Sequence, residues 1–254
     1  MITDTHAHLY FPELLSDIEN VVSRSFDAGV TKIIAPSVDL KTAEIVLNLT
    51  QKFENIYAAV GFHPSDVKNF RIEEIKYLED FISDKKTVAV GEIGLDYYWD
   101  KSNIHHQKNF FIEQIHLAKQ YNLPIIIHTR DSVKDAIEIV KSEKADKLKG
   151  QFHCFSGDEK DLNEILELDG FSLSFCGNIT YKKYSSLDLI KKIPADKILS
   201  ETDSPFLTPE PFRSKKNEPA RIIHTIQKIA NVKEMDFNIL IEQLSENTKK
   251  LFNI

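Results

Sequence analysis

Two histidines one residue apart are the first groups in this chain that could do chemistry. They lie in Asp4-Thr5-His6-Ala7-His8, after Met1-Ile2-Thr3 and before Leu9-Tyr10-Phe11-Pro12. The residues before them suit a short strand, and Pro12 bars its continuation. In a strand, residues two apart point to the same side, so His6 and His8 are expected to present two imidazoles together. Neutral imidazole is a metal ligand, and a pair fixed on one strand loses little freedom on binding. Alone, the pair reads equally well as two ordinary histidines. The rest of the chain decides between these readings.

The elements that must position such residues recur at intervals of about thirty residues or fewer, strand-like runs alternating with helical patterns. Expected strands are Ile2–His8, Thr31–Pro36, Ile56–Gly61, Thr87–Glu92, Pro124–His128, Gly150–Phe155, Phe171–Cys176 and Lys197–Thr202. Helical stripes follow them, such as Leu14, Leu15, Ile18, Val21, Val22 and Phe26, and later one around Ile72, Ile75, Leu78 and Ile82. Two further helices, near Ile222–Ile229 and Phe237–Leu251, finish the chain. Val88-Ala89-Val90 and Ile125-Ile126-Ile127 are continuous apolar runs, as expected of parallel strands covered on both faces. Eight such units predict an α/β fold, a (β/α)8 TIM barrel, as a single domain over residues 1–254. An open doubly wound sheet is the alternative, but it would usually carry a glycine-rich turn where this chain has Asp-Thr-His-Ala-His.

In a barrel, chemistry sits at the C-terminal ends of the strands. The ionisable residues collect there: His6 and His8, His63, Glu92, His128 with Arg130, His153, and Glu201 with Asp203. Each has a bland account. Glu92 reads as a strand-end charge, His128 or His153 as a satisfied core histidine, and Asp203 as a turn starter before Ser204-Pro205. Six runs would have to place such a group at the same end by accident for all these accounts to hold. His105, His106, His116 and His224 lie in helical stretches and read as surface or packing residues.

Four histidines (His6, His8, His128, His153) and two carboxylates (Glu92, Asp203) exceed the three protein ligands usual for one catalytic zinc. They suit two divalent ions about 3.5–4 Å apart, bridged by a carboxylate. Such a centre makes hydroxide available near neutral pH and predicts hydrolysis at phosphorus or at a carbonyl. Asp203 is the expected general base. His63 and Arg130 flank the set and can donate to phosphate oxygens. Arg213, Lys215 and Lys216 lie in the loop after the eighth strand, which reads equally well as a solvated basic tip. Tyr97-Tyr98-Trp99 follows the fourth strand, where aromatic rings stack on bases or pack as a lid. Phosphate donors beside rings favour a nucleic acid over a cyclic amide.

Composition bounds the reading. Hydrophobic residues are 42% and charged residues 28%, an ordinary globular balance. The net charge of −7 and pI near 5.7 argue against broad coating of DNA, which needs a basic face. No apolar run reaches eighteen residues, and the N-terminus lacks a basic-then-apolar signal segment, so no membrane span or export is expected. Cys154 and Cys176 are the only cysteines, which suits a reducing, cytoplasmic setting.

The ordered set of segments resembles the TatD family of metal-dependent deoxyribonucleases, within the amidohydrolase superfamily. The matching stretches are Asp4–His8, Gly61-Phe62-His63-Pro64, Gly91-Glu92-Ile93-Gly94-Leu95-Asp96-Tyr97, Pro124–Arg130, His153-Cys154-Phe155-Ser156-Gly157 and Glu201-Thr202-Asp203-Ser204-Pro205. The resemblance implies a (β/α)8 barrel holding one or two divalent ions, zinc, manganese or magnesium. His6, His8, Glu92 and Asp203 would hold the first, and Glu92, His128 and His153 the second, with Glu92 bridging. His63, Arg130, Arg213 and Tyr97 would face substrate, and Glu201 would support Asp203. The implied activity is 3′→5′ removal of nucleotides from DNA, preferably single-stranded or at 3′ ends; nothing in the sequence indicates an obligate protein partner. A hydrolase of a small cyclic amide, lactone or phosphate ester stays open as the alternative. One departure is visible: the family's late loop often reads Arg-Gly, and here it is Arg213-Ser214, which is less free to take positive φ.

Overall fold

The structure, a computed structural model, describes residues 1–99, 101–143 and 147–254. Among them, the strands are Ile2–Asp4 (β1), Val30–Pro36 (β2), Ile56–Val60 (β3), Thr87–Asp96 (β4), Ile125–Arg130 (β5), Gly150–Phe152 (β6), Phe171–Phe175 (β7) and Ile198–Ser200 (β8). The α-helices are Pro12–Leu15 (α1), Ile18–Asp27 (α2), Leu40–Lys52 (α3), Glu79–Ile82 (α4), Ile104–Tyr121 (α5), Val133–Glu143 (α6), Glu159–Leu166 (α7), Leu187–Lys192 (α8), Ile222–Lys233 (α9) and Phe237–Phe252 (α10). The strands form one eight-stranded sheet in the order β1 to β8. Ser200 O on β8 accepts from Thr5 N–H at 3.1 Å, so the last strand lies beside the first. This is a (β/α)8 TIM barrel. No helix among the described residues is long and apolar enough to cross a membrane.

The chain groups into two compact units, Met1–Ala35 with Leu173–Ile254, and Pro36–Ser172. In the first, β1 pairs with β2 (Ile2↔Val30, Asp4↔Ile33) and β7 with β8 (Leu173↔Ile198, Phe175↔Ser200). Helix α10 packs on β1 and β8 and buries Leu240, Leu244, Leu251 and Phe252. It starts where the Asp236 side chain accepts from the Asn238 and Ile239 N–H groups, which a helix start otherwise leaves unpaired.

The second unit is built on β4, whose ten residues are all buried. The strand runs past its expected end at Glu92 to Asp96, because Ile93 and Leu95 continue the apolar pattern beyond a register shift between Val90 and Ile93. At Gly94, φ is +136°, and a Cβ there would sit 2.2 Å from the His128 carbonyl oxygen. Only glycine lets β4 lie this close to β5 at the His128 level. Helix α5 packs on β4 and sends two buried glutamines, Gln107 and Gln114, to the backbone of neighbouring strand ends. The expected helix around Ile72–Ile82 is a 3-10 stretch, Ile72–Leu78, running into the single turn of α4.

Candidate metal centre

The first unit brings His6, His8 and Asp203 together. His6 and His8 do not lie on a strand as expected, since β1 ends at Asp4. Their segment keeps its backbone hydrogen bonds by turning between neighbours. Ala7 N–H donates to Ile34 O at 3.1 Å, His8 N–H to Ser204 O at 2.8 Å, and Asp203 N–H to His6 O at 2.9 Å. The imidazoles still converge, with Nε2 atoms 3.2 Å apart. Asp203 Oδ1 lies 3.3 Å from His8 Nε2 and 3.8 Å from His6 Nε2. Three donors around a tetrahedral ion with bonds of about 2.0–2.1 Å are about 3.4 Å apart. The triangle therefore has the dimensions of a cation's ligand set.

Asp203 lies beyond β8 and is left-handed, with φ +54°. The strand alternation that would put Glu201 and Asp203 on one face therefore stops short of them. Glu201 is fully buried instead, accepts from the Cys176 thiol at 3.1 Å, and has a carboxylate oxygen within 4.8 Å of a His6 ring nitrogen. What holds Asp203 is Asp4, a residue the sequence reading did not single out. Asp4 is fully buried and accepts from His6 N–H (3.2 Å) and Thr202 N–H (2.9 Å), and its second oxygen lies 2.5 Å from the Thr202 hydroxyl. Burial pushes its carboxyl up to about 8 against the pull of the Thr202 and His6 donors. A protonated Asp4 donates to Thr202 Oγ, which in turn lies 3.0 Å from Ser204 Oγ. The signal was its position, two residues before His6 and four before His8.

The second unit gathers three imidazoles around one carboxylate oxygen. Glu92 Oε1 lies 2.8 Å from His128 Nδ1, 3.3 Å from His153 Nε2 and 3.5 Å from His63 Nε2. Glu92 is 1% exposed. His128 presents its other nitrogen, Nε2, to Asp96 Oδ2 at 3.1 Å. Burial alone would lower the His128 value, but its bonds to Asp96 and Glu92 outweigh it and hold the imidazole above its ordinary value. Burial would raise Asp96, and its His128 bond outweighs that, so its carboxyl sits below the usual range. A carboxylate on the far nitrogen of a ligating imidazole fixes both tautomer and ring orientation. Asp96 is thus a second positioning residue missed from sequence. It lies four residues after Glu92 on the same strand.

His63 is steadied from its far side. Its Nδ1 lies 2.7 Å from the Ser65 hydroxyl and 3.2 Å from the Ser65 backbone N–H, and that hydroxyl donates to Asp66 Oδ2 at 3.0 Å. Its Nε2 faces Glu92, and with Glu92 and His128 it forms one of the groups able to hold a cation.

The structure redistributes the substrate-facing residues. Tyr97 is buried at 8% exposure and donates to Asp135 Oδ2 at 2.7 Å, which corrects its expected role at the mouth. Burial and that bond raise its phenol above the ordinary value. Tyr98 and Trp99 are the exposed rings, at 54% and 68%. Asp96 Oδ1 accepts from both their N–H groups, so one carboxylate fixes the aromatic turn and His128 together. The Arg130 guanidinium lies over both rings, 3.7 Å from the Tyr98 centroid and 5.3 Å from that of Trp99. Arg213 lies in the first unit, exposed, over the Tyr181 ring at 4.0 Å.

The chain is similar to known proteins along its whole length. The chain is 41% identical over 255 residues to the uncharacterized metal-dependent hydrolase YabD of Bacillus subtilis, covering all of both proteins. It is 31% identical to the uncharacterized metal-dependent hydrolase YcfH of Escherichia coli, covering all of this chain and 96% of that one. The crystal structure of YjjV, a TatD homolog from E. coli, superposes with a TM-score of 0.95 at 31% identity, covering 100% of this chain and 98% of the other. The family described as TatD related DNase matches residues 3–253. The chain belongs to the TatD related DNase family.

Proposed function

We propose that this chain is a metal-dependent phosphodiesterase acting on DNA, removing nucleotides from 3′ ends. The observation that carries the reading is Arg130. Two residues beyond His128 on β5, its guanidinium is held on two exposed rings at the end of the neighbouring strand β4. A phosphate donor beside metal-ligating groups, backed by rings able to stack on bases, fits a nucleic-acid phosphodiester. A small cyclic amide would use neither.

We assign His6, His8 and Asp203 to a divalent cation, and Glu92, His128 and His153 likewise. A bound cation supplies the Lewis acidity that makes water a nucleophile near neutral pH. The chain's own groups do the rest. Asp203, with its side chain 14% exposed, takes the proton of the attacking water on a carboxylate oxygen. His63 donates to a phosphate oxygen from the nitrogen facing the site, and the fixed charge of Arg130 balances charge growing there. Asp96 and Asp4 hold ligands and carry no proton to substrate.

The test uses metal-stripped protein and end-labelled single-stranded DNA, with Mg²⁺, Mn²⁺ or Zn²⁺ restored. The expected result is a ladder shrinking from the 3′ end only when metal is present. Intact DNA from folded, metal-loaded protein would overturn the reading in favour of a hydrolase of small amides, lactones or phosphate esters.

A further inference from the structure

Among the described residues, seven large apolar side chains are exposed: Met1, Phe26, Tyr77, Tyr98, Trp99, Phe206 and Ile239. Single exposed rings need no explanation on a protein surface. Phe206 is different because of its neighbours and the way it is held. It is 46% exposed and follows Asp203 by three residues, its N–H donating to Asp203 O at 2.9 Å. Its ring centroid lies 6.1 Å from the His8 imidazole and 5.0 Å from Phe11, edge-on to both. Phe11 in turn lies 5.9 Å from His8. Two phenyl rings thus wall one side of an imidazole assigned to a cation.

The wall is built rigidly. Asn217 is fully buried, and its amide donates to Thr202 O at 2.9 Å and to Phe206 O at 2.6 Å. Its backbone N–H donates to Pro205 O at 3.2 Å. The turn 202–206 is therefore stapled from beneath at both ends, and Phe206 is presented at a fixed place beside Asp203. If its task were only to keep His8 dry, a ring turned fully onto the imidazole would do, and nearly half of this one faces solvent instead.

We propose that Phe206, with Phe11 behind it, is the stacking wall for a nucleobase, the base belonging to the nucleotide whose phosphate is held at His6, His8 and Asp203. A base lies one sugar away from its phosphate, and every base has an apolar face that stacks without sequence preference. The wall selects nucleotides over base-free phosphate esters and favours unpaired ends, because a base still stacked in a duplex has no free face. This inference rests on the phosphodiesterase reading.

The test compares two ligands that differ only in the base. Metal-loaded protein is titrated calorimetrically with thymidine 5′-monophosphate and with deoxyribose 5-phosphate. The wild-type chain should bind the nucleotide roughly tenfold more tightly, the usual worth of one stacked base. Phe206→Ala should bring the ratio close to one, and Phe206→Tyr should restore it. Phe26→Ala, a change at a ring 65% exposed on α2, should leave the ratio at its wild-type value. Equal affinities in the wild type, or a preference that survives in Phe206→Ala, would overturn the proposal. If the base preference holds while oligonucleotides stay uncut, the cleavage reading falls and the nucleobase site stands.

Discussion

At the residue scale, the positioning groups are better defined than the ligands they serve. Asp96 accepts from His128 Nε2 and leaves Nδ1 facing Glu92. Its other oxygen accepts from the Tyr98 and Trp99 N–H groups. In Asp96→Asn, the amide oxygen can keep the two backbone donors, but the amide nitrogen then points at Nε2. Nε2 must accept, and the imidazole proton moves to Nδ1, the nitrogen that should ligate. The expected outcome is metal affinity weaker by about 10–100-fold, the usual cost of losing such a partner. The unfolding midpoint of the metal-free variant should change little, since the turn keeps its cap. Titration of zinc against a chelator of known affinity measures this. Unchanged affinity would mean that His128 does not ligate through Nδ1.

At the element scale, helix α5 sets the site by gripping backbone rather than by packing alone. Gln114 accepts from Phe62 N–H at 2.6 Å and donates to Phe62 O at 3.2 Å, which fixes the residue before His63. Two turns earlier, Gln107 does the same to Asp96, accepting at 2.8 Å and donating at 2.9 Å. Gln114→Leu leaves a buried N–H and a buried C=O without partners, so it should destabilise the protein by roughly 2–4 kcal/mol. Urea denaturation with an unchanged slope would register this, and a loss under 1 kcal/mol would show that water or a shifted neighbour replaces the amide. These glutamines also mark where sequence reading stops. The strands were legible because Val88-Ala89-Val90 and Ile125-Ile126-Ile127 are apolar on both faces. The clustered imidazoles and carboxylates were legible because such groups are rare at the ends of such runs. A glutamine on a helix reads as surface, and only the structure shows Gln107 and Gln114 buried beside Phe110 and Phe111. Strand ends were misjudged for a related reason. Past Asp4 and Ser200 the backbone bonds to turning segments, so period-two alternation no longer says where a side chain points. Tyr97 likewise lies just past the end of β4, and its ring is buried while those of Tyr98 and Trp99 are exposed.

At the scale of the whole molecule, protons and cations compete for the same framework, and the sign of that competition can be worked out. Several exposed or half-exposed carboxylates sit below their ordinary values: Asp135 through its bond from Lys108, Glu143 through Lys119, and Glu164 through Lys141. Such groups stabilise the fold above their unfolded values, 3.8 for Asp and 4.5 for Glu, and the gain is lost as pH falls through their lower folded values. Asp4 and His128 run the other way. Their folded values are raised from 3.8 and 6.5, so their contribution is complete below those values and is lost as pH rises, through about 8 for Asp4. The metal-free protein should therefore be most stable near about pH 4–5, where the lowered carboxylates already contribute, and should weaken steadily above that as Asp4 ionises. Asp4→Asn should flatten the decline between pH 5 and 8 by removing its titrating group, at most about 1.4 kcal/mol per pH unit. A cation held by His128 would reverse the trend, because that imidazole must release its proton to ligate, and loading would tighten as pH rises. At a hundredfold excess over Kd, loading should add about 2.7 kcal/mol and raise the melting temperature by roughly 5–10 °C. Melting curves from pH 4 to 9, with and without zinc, should thus diverge on the alkaline side. Parallel decline of the two curves above pH 7 would remove His128 from the set of ligands.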